Sequence, residues 1–149
     1  MLKSYPVVVK KFDALNINEL YAIMALRMEV FCVEQDCPYQ DLDGQDQIAT
    51  HVFIQDQKNI AAYARIIQKD RSCSLIGRVV VNPAYRKQGL ANKIMQQCID
   101  EIKQTTAEKI ELSAQSYLHK FYANLGFKST NEYYLEDDIP HEHMRMIIK

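Results

Sequence analysis

The segment from Val79 to Met95 constrains the fold more than any other part of the sequence. It reads VVVNPAYRKQGLANKIM, a β-branched run followed by Pro83, a basic turn, Gly89 and apolar residues at helical spacing. Proline lacks the N–H group that a central strand position needs, so Pro83 should end the strand. The segment therefore predicts a strand, a short loop and a helix in direct succession, with the first N–H groups of the helix unpaired beside the loop.

The remaining sequence predicts further strands and helices on both sides of this unit. A strand is expected over Val7–Phe12, followed by a helix with Asn18 as its N-cap and then by a polar loop, CVEQDCPYQDLDGQDQ. The other predicted elements are strands in ATHVFIQD, NIAAYARIIQKD and SLIGRVVV, a helix over Gly89–Gln104, a strand in KIELSAQ, a helix in SYLHKFYANLGF, and strands in EYYLED and HMRMIIK. This order predicts one α/β (α+β) domain over residues 1–149, with a mixed, mostly antiparallel sheet flanked by helices.

Charge and hydropathy exclude several classes of function. The formal net charge of −1 and the pI of about 6.4 give no basic field for nucleic acid. No apolar run approaches membrane-spanning length, and three valines between Pro6 and Lys10 are too few for a signal peptide. We therefore expect a cytoplasmic protein with neither a nucleic-acid nor a membrane partner.

The cysteines and histidines do not predict a metal site. The four cysteines lack a CxxC pair, and the five-residue step from Cys32 to Cys37 is not a usual zinc spacing. His141 and His143 share one face of a strand, but no third ligand accompanies them. We expect reduced cysteines and no metal.

The loop that ends at Gly89 has the features of an anion site. Unpaired N–H groups and the helix dipole favour negative charge at the start of a helix, and phosphate is the obvious ligand. Neither GxxxxGK[ST] nor GxGxxG occurs, which excludes the common triphosphate and dinucleotide loops.

Two segments resemble signatures of the GNAT-superfamily N-acetyltransferases. Val81 to Ala91 resembles V-x-P-x-x-[RQ]-x-x-G-x-[GA], and Phe121 to Phe127 resembles FYxxxGF. Val30 to Asp46 and Glu136 to Arg145 are similar to the ElaA-like branch of that superfamily. The resemblance implies a GNAT acyl-CoA N-acyltransferase fold. It also implies transfer of an acyl group, most often acetyl from acetyl-CoA, to a primary amine by direct attack in a ternary complex.

The same resemblance implies the cofactor site. The backbone of Val79, Val80 and Val81 would contact the pantetheine arm and the thioester oxygen, and the loop with the helix start would bind the pyrophosphate. These residues are Arg86, Lys87, Gln88, Gly89, Leu90, Ala91 and Asn92. Tyr122 matches the tyrosine that also contacts the cofactor and protonates or hydrogen-bonds the departing thiolate.

The general base is not evident from the family pattern. Many GNAT enzymes use a glutamate on the strand before the phosphate loop, where this chain has LIGRVVV. Glu34, at the start of the polar loop, is the candidate that we favour, because a semi-buried carboxylate there would accept the proton directly or through water. His51 is the alternative, since its ordinary pKa suits the task.

Two arginines and one histidine are candidates for the acceptor site. Arg65 and Arg78 interrupt apolar strands, so each would bind an acid group of the substrate or form an ion pair with Glu34, Asp41 or Asp43 and position the pocket.

His141 and the acidic loop leave further alternatives open. His141 would contact the substrate or hydrogen-bond the loop backbone. Asp36, Asp41, Asp43 and Asp46 would form a solvated loop or attract a cationic amine, such as a polyamine, a lysine or a peptide N-terminus.

The resemblance leaves the partners and one rival function open. The acceptor is expected to be a small-molecule amine or an amine of a protein or peptide, and a homodimer is expected because many relatives are dimers. The missing strand glutamate keeps a second interpretation open, in which the chain is a non-catalytic acyl-CoA sensor or interaction module.

Overall fold

The structure is a computed structural model that describes residues 5–149. Residues 1–4, on which part of the signal-peptide expectation depends, lie outside the described residues. The strands are β1 (Val7–Lys11), β2 (Thr50–Asp56), β3 (Asn59–Gln68), β4 (Cys73–Val81), β5 (Lys109–Gln115), β6 (Lys128–Glu136) and β7 (Ile139–Ile147). The α-helices are α1 (Ile17–Arg27), α2 (Leu90–Lys103) and α3 (His119–Leu125).

The strands form one seven-stranded sheet in the order β1-β2-β3-β4-β5-β7-β6. Each neighbouring pair is antiparallel except β4 and β5, which are parallel. The predicted α/β (α+β) fold with a mixed, mostly antiparallel sheet and flanking helices is confirmed, as is the order of elements.

Helix α1 begins two residues earlier than the sequence indicated. Asn16, not Asn18, is the N-cap: its Oδ1 accepts a hydrogen bond from the Glu19 N–H at 2.8 Å, and Glu19 Oε1 accepts one from the Asn16 N–H at 2.9 Å. This reciprocal pair is a capping box, which requires an acidic or amide side chain three residues after the cap. Glu19 satisfies that spacing for Asn16, so the earlier asparagine is the cap.

The two helices that cover the sheet pack on opposite faces. On one face, Ile94 and Met95 of α2 are fully buried against the sheet. On the other, Ile23 of α1 is buried with Phe53 and Tyr63. The C-terminal end of α1 continues into a π-helical segment, Met28–Glu34, which the sequence did not predict. Such segments are rare and occur frequently at functional sites.

The sheet divides where β4 meets β5. These strands pair over Cys73–Leu75 and Lys109–Glu111 and then diverge, while β4 continues along β3 to Val81 and β5 continues along β7 to Gln115. The divergence leaves a V-shaped opening whose β4 arm leads directly into the predicted phosphate loop. Among residues 5–149, no helix is both long and apolar enough to cross a bilayer.

Candidate active site

A cleft of about 1190 Å³ occupies the opening between β4 and β5. Its lining comes from both strands, the loop after β4, the start of α2, the end of the π-helical segment and α3. Sites for one small ligand measure roughly 300–1,000 Å³. The cleft therefore exceeds the usual volume of a site for one small ligand.

A β-bulge lies on the β4 wall of the cleft. Tyr63 pairs with Val80 and Arg65 pairs with Gly77, so Arg78 and Val79 together oppose one residue of β3. Arg78 has a positive φ of 52°, which costs a non-glycine residue of order 1–3 kcal/mol and is typical of functional sites. A bulge leaves one residue outside the strand ladder. The backbone of Val79 to Val81, for which the family resemblance implied a contact with the thioester, borders the cleft at this point.

The side chain of Asn82 helps to hold the loop after β4 to β3. Asn82 Oδ1 accepts a hydrogen bond from the Ala84 N–H at 3.0 Å, and Asn82 Nδ2 donates to the Ile60 carbonyl at 3.2 Å. Gly89 then forms the N-cap of α2 with a φ of 74°, a conformation that glycine adopts without strain. The loop is thus fixed at both ends.

The start of α2 suits an anionic ligand. The N–H groups of Leu90 to Asn92 have no acceptor one turn earlier in the helix, and the first turn carries no acidic residue. A Cβ atom added at Gly89 would meet no heavy atom within 4 Å, so the space beside the loop is open. Of the predicted pyrophosphate residues, Arg86, Lys87, Gly89, Leu90, Ala91 and Asn92 line the cleft, whereas Gln88 does not. These features fit the pyrophosphate of an acyl-CoA.

Tyr122 reaches the same cleft from α3. It is 6% exposed, and its ring packs edge-to-face on Phe127 with centroids 6.1 Å apart. Burial, with a smaller effect of Tyr117, raises the pKa of Tyr122 to about 12. Within residues 5–149 its hydroxyl has no hydrogen-bond partner, so its proton is available to a ligand in the cleft.

Glu34 lies at the end of the π-helical segment, and its carboxylate contacts the predicted phosphate loop. Arg86 donates Nη2–H to Glu34 Oε1 at 2.7 Å and Nη1–H to Oε2 at 2.9 Å. The hydrogen bonds from Arg86 hold the pKa of the Glu34 carboxyl below its ordinary value. Glu34 therefore lines the cleft, but it is exposed rather than semi-buried, and it pairs with a residue predicted to bind the cofactor.

His51 does not line the cleft. It is fully buried, its Nε2 lies 2.9 Å from the Asp46 carbonyl oxygen, and its Nδ1 lies 2.6 Å from the Tyr63 hydroxyl. A carbonyl only accepts, so Nε2 carries the hydrogen and Nδ1 accepts from Tyr63. Burial lowers the pKa of His51 as well. This placement argues against His51 as the general base, because its lone pair is occupied and it does not face the cleft.

Arg65 and Arg78 line the cleft, and both guanidinium groups already contact carboxylates. Arg65 Nη2 lies 2.6 Å from Asp43 and its Nη1 lies 3.0 Å from Asp46. Arg78 Nε lies 2.9 Å from Asp41 Oδ1, without the alignment of a hydrogen bond. The alternative of structural ion pairs therefore fits the geometry for Asp41 and Asp43, with Asp46 as a further partner. The suggested partner Glu34 does not fit, since it pairs with Arg86.

Sequence reasoning missed the third arginine of this network. Arg27, on the buried face of α1, is 1% exposed and binds Asp41 at 2.9 Å and Asp46 at 2.7 Å. Asp41 and Asp46 are 2% and 6% exposed, so the interpretation of the acidic loop as solvated is wrong for these two. An arginine in the apolar stripe of a helix near a run of aspartates was the signal available.

His141 makes a hydrogen bond to the loop backbone, which is one of the two interpretations of its role. Its Nδ1 donates to the Ile139 carbonyl at 2.6 Å, and its Nε2 lies 3.2 Å from Glu136 Oε2. Its ring stacks on Tyr134, and it also lines the cleft. The backbone hydrogen bond fixes the ring at the cleft wall.

A buried carboxylate on β5 was also missed. Glu111 is 4% exposed, lines the cleft, and accepts hydrogen bonds from Cys73 Sγ at 3.1 Å and Arg145 Nη2 at 3.0 Å, with His143 Nε2 at 3.2 Å. Burial alone would raise the pKa of Glu111, but these partners lower it overall. A glutamate inside KIELSAQ on the strand facing β4 was the available signal. Among residues 5–149, no group of three or more His, Cys, Asp or Glu side chains is arranged to hold a metal ion.

Comparisons with known proteins agree with this geometry. The acetyltransferase (GNAT) domain family matches residues 19–148. A UPF0039 protein of Schizosaccharomyces pombe is 40% identical over 142 residues, which are 93% of this chain and 95% of that protein. Protein ElaA of Escherichia coli is 39% identical over 132 residues, which are 85% of this chain and 86% of ElaA.

Two solved structures share the whole fold. The crystal structure of an acyl-CoA N-acyltransferase from Pseudomonas aeruginosa has a TM-score of 0.89 at 38% identity, covering 96% of this chain and 99% of that one. The crystal structure of Escherichia coli ElaA has a TM-score of 0.87 at 33% identity over the aligned residues, covering 95% of this chain and 99% of that one.

Proposed function

This chain belongs to the GNAT acetyltransferase family, in its ElaA-like branch, and we propose that it transfers acetyl from acetyl-CoA to a primary amine by direct attack in a ternary complex. One observation carries the proposal: the divergence of β4 and β5 brings the bulged strand, the phosphate loop and Tyr122 to a single cleft. Kinship to an acyl-CoA N-acyltransferase of Pseudomonas aeruginosa supports the choice of co-substrate.

The β4 wall and the phosphate loop would bind and orient the co-substrate. Acetyl-CoA supplies an acetyl group activated as a thioester. In the proposal, the N–H groups at the start of α2 and the side chains of Arg86 and Lys87 hold its pyrophosphate, and backbone groups of Val79 to Val81 bind the pantetheine arm and the thioester oxygen. Backbone donors fixed in a strand require little reorganisation when charge develops on that oxygen.

Glu34 is the proposed acceptor of the amine proton. An alkylammonium ion, with a pKa near ~10, is not nucleophilic and must lose a proton before attack. Glu34 borders the cleft beside the phosphate loop and is the candidate that the geometry favours over His51. It would act directly or through one water molecule.

Tyr122 is proposed to stabilise the departing thiolate. Burial raises the pKa of Tyr122 to about 12, above the ~8.5 of an ordinary alkyl thiol, so complete proton transfer is disfavoured. Donation of a hydrogen bond does not require this proton transfer, and at neutral pH the phenol keeps the proton that it would donate. We therefore assign Tyr122 the hydrogen-bonding role.

Arg65, Arg78 and His141 are proposed to shape the acceptor side of the cleft. The arginines hold the loop that carries Asp41 and Asp43, and His141 forms part of the wall. We propose a small-molecule amine or a protein or peptide amine as acceptor, a cytoplasmic location and a homodimer. Light scattering of the purified protein tests the dimer.

A sensor of acyl-CoA without turnover is the rival function. It is favoured by the ion pair between Glu34 and Arg86, which occupies the proposed base, and by the absence of a carboxylate on β4. Both functions require acyl-CoA binding, and only the enzyme releases free thiol.

The deciding experiment joins calorimetric titration with acetyl-CoA to an assay of thiol release against a panel of amines. Binding with amine-dependent thiol release supports the transferase, and binding without release on any amine favours the sensor. Dephospho-CoA and desulfo-CoA serve as matched ligands that separate phosphate from sulfur contacts. No binding of acetyl-CoA would refute both functions.

A further inference from the structure

The ion pair between Glu34 and Arg86 joins the two groups that the proposed reaction needs apart. Both N–H-bearing ends of the Arg86 guanidinium face the Glu34 carboxylate, at 2.7 and 2.9 Å. Arg86 belongs to the phosphate loop, Glu34 ends the π-helical segment, and both line the cleft. In this arrangement the carboxylate occupies the face of Arg86 that a phosphate would use.

We propose that the pyrophosphate of acyl-CoA displaces the Glu34 carboxylate from Arg86, so that cofactor binding itself releases Glu34 for the acceptor amine. This inference rests on the proposed acyltransferase function. Glu34 thereby acts first as a competitor of the cofactor and then as the proton acceptor, and the order of binding is cofactor before amine.

The exchange is favourable because the two anions differ in what else they can bind. The planar guanidinium accommodates a carboxylate or a phosphate equally well as a bidentate partner. A pyrophosphate carries more charge and also reaches the N–H groups at the start of α2, which Glu34 does not contact. The existing pair is about two-fifths exposed on each side, and water screens such pairs, so little is lost when it breaks.

The segment that carries Glu34 is tethered independently of Arg86. The next side chain, Gln35, exchanges amide hydrogen bonds with Gln115 on β5 at 3.3 and 3.4 Å. Cys37 Sγ lies 3.7 Å from the Asp137 carbonyl oxygen, at the turn between β6 and β7. The released carboxylate would therefore remain at the cleft between β4 and β5.

The pair also affects the reactivity of Glu34. A carboxylate that accepts two hydrogen bonds from a guanidinium has fewer lone pairs free to take a proton, and these bonds lower its pKa. When Arg86 binds the cofactor instead, its hydrogen bonds to Glu34 are broken and no longer lower the pKa of Glu34. The base is thus weak in the free protein and stronger when the acyl donor is in place.

The test compares the affinity of acetyl-CoA for the wild type and for Glu34→Gln by calorimetry. Glu29→Gln is the matched control, because Glu29 lies on the same segment, is exposed, carries the same charge and does not line the cleft. We expect Glu34→Gln to bind acetyl-CoA about two- to fivefold more tightly and Glu29→Gln to bind like the wild type. Equal tightening in both variants would indicate a general charge effect and overturn the exchange.

A second comparison assigns the effect to Arg86. In an Arg86→Gln background, Glu34→Gln should no longer tighten binding, because the pair is already absent. S-Acetylpantetheine, which has no pyrophosphate, should bind wild type and Glu34→Gln equally. Unchanged or weaker acetyl-CoA binding by Glu34→Gln would refute the exchange and leave the acyltransferase proposal standing, whereas no acetyl-CoA binding by the wild type would refute the acyltransferase proposal itself.

Discussion

At the scale of single residues, Tyr122 has the most specific of the proposed chemical roles. Tyr122→Phe keeps the buried ring and removes the one hydroxyl that faces the cleft from α3. We expect turnover to fall about 10²-fold, the effect of losing one hydrogen-bond donor to charge that develops in the transition state, while the dissociation constant of CoA changes less than threefold. Steady-state thiol release and calorimetry measure the two quantities. Tyr133→Phe, on the exposed part of β6, is the control; unchanged turnover in Tyr122→Phe would remove the assignment.

His51 differs from Tyr122, because its titratable side chain is buried and makes structural hydrogen bonds. His51→Leu removes both hydrogen bonds and so leaves the Asp46 carbonyl and the Tyr63 hydroxyl without their His51 partner. We expect a loss of stability of about 1–3 kcal/mol, the cost of an unsatisfied buried polar group, with turnover per folded molecule within a few fold of the wild type. Urea unfolding and kinetics at low temperature separate these effects. A stable variant with much lower turnover would restore His51 as the base.

At the scale of elements, the loop between the π-helical segment and β2 is held by charge rather than by apolar packing. Asp46 joins Arg27 of α1 to Arg65 of β3, at 2.7 and 3.0 Å. Asp46→Asn removes the shared carboxylate and leaves two buried guanidinium groups undercompensated. We expect destabilisation of about 3–5 kcal/mol, measured by urea unfolding. Glu132→Gln, an exposed change of the same charge on β6, should lie within 0.5 kcal/mol of wild type, a rough value for surface substitutions.

The same loop should make the protein sensitive to acid. For Asp43, the hydrogen bond from Arg65 holds the pKa below its ordinary value of 3.8. Burial alone would raise the pKa of Asp46, but Arg27 and Arg65 lower it overall. A carboxyl whose pKa is lower in the folded state stabilises the fold above its unfolded pKa, and that stability disappears as the pH falls through the folded value. Chemical denaturation from pH 6 down to pH 2 should show that the free energy of unfolding begins to fall near pH 4. Asp46→Asn should start from a lower free energy of unfolding and lose less of it over the same range. A flat profile would contradict the role of the network.

At the scale of the whole molecule, sequence reasoning succeeded where the determinants are local. Pro83 and Gly89 border a loop whose form follows from their own backbone limits, and Gly126 ends α3 with a positive φ of 109° as a helix-ending glycine does. The sequence also contains the signal for the capping box at Asn16, because Glu19 lies three residues later. These features depend on residues that are neighbours in sequence.

The features that sequence reasoning did not reach depend on distant pairings. The bulge at Arg78 follows from a register shift between β3 and β4, and the burial of Arg27 depends on Asp41 and Asp46, which lie 14 and 19 positions later. The pair between Glu34 and Arg86 joins residues 52 positions apart. No local sequence pattern specifies which carboxylate pairs with which guanidinium. The sequence therefore predicted only a set of alternative ion-pair partners.

The divergence of the sheet leads to the last prediction. Strands β1 to β4 and strands β5 to β7 are joined in the sheet by the short pairing of Cys73–Leu75 with Lys109–Glu111. An acyl-CoA bound in the opening would contact both parts, and any ligand specific for the folded state stabilises it by mass action. At acetyl-CoA concentrations of about 100 times the dissociation constant the gain is about 2.7 kcal/mol, which for a chain of this size corresponds to a rise in Tm of roughly 5–10 °C.

Differential scanning fluorimetry measures that rise, and hydrogen exchange locates it. If the cofactor joins the two parts of the sheet, amide protection should increase on β4 and on β5 together, not at the phosphate loop alone. Arg86→Gln should need more acetyl-CoA for the same rise in Tm, because it removes the proposed pyrophosphate contact and leaves the opening between β4 and β5 intact. Protection confined to the loop and α2 would mean that the ligand binds the β4 arm only, and the reactive end would then lie away from Tyr122.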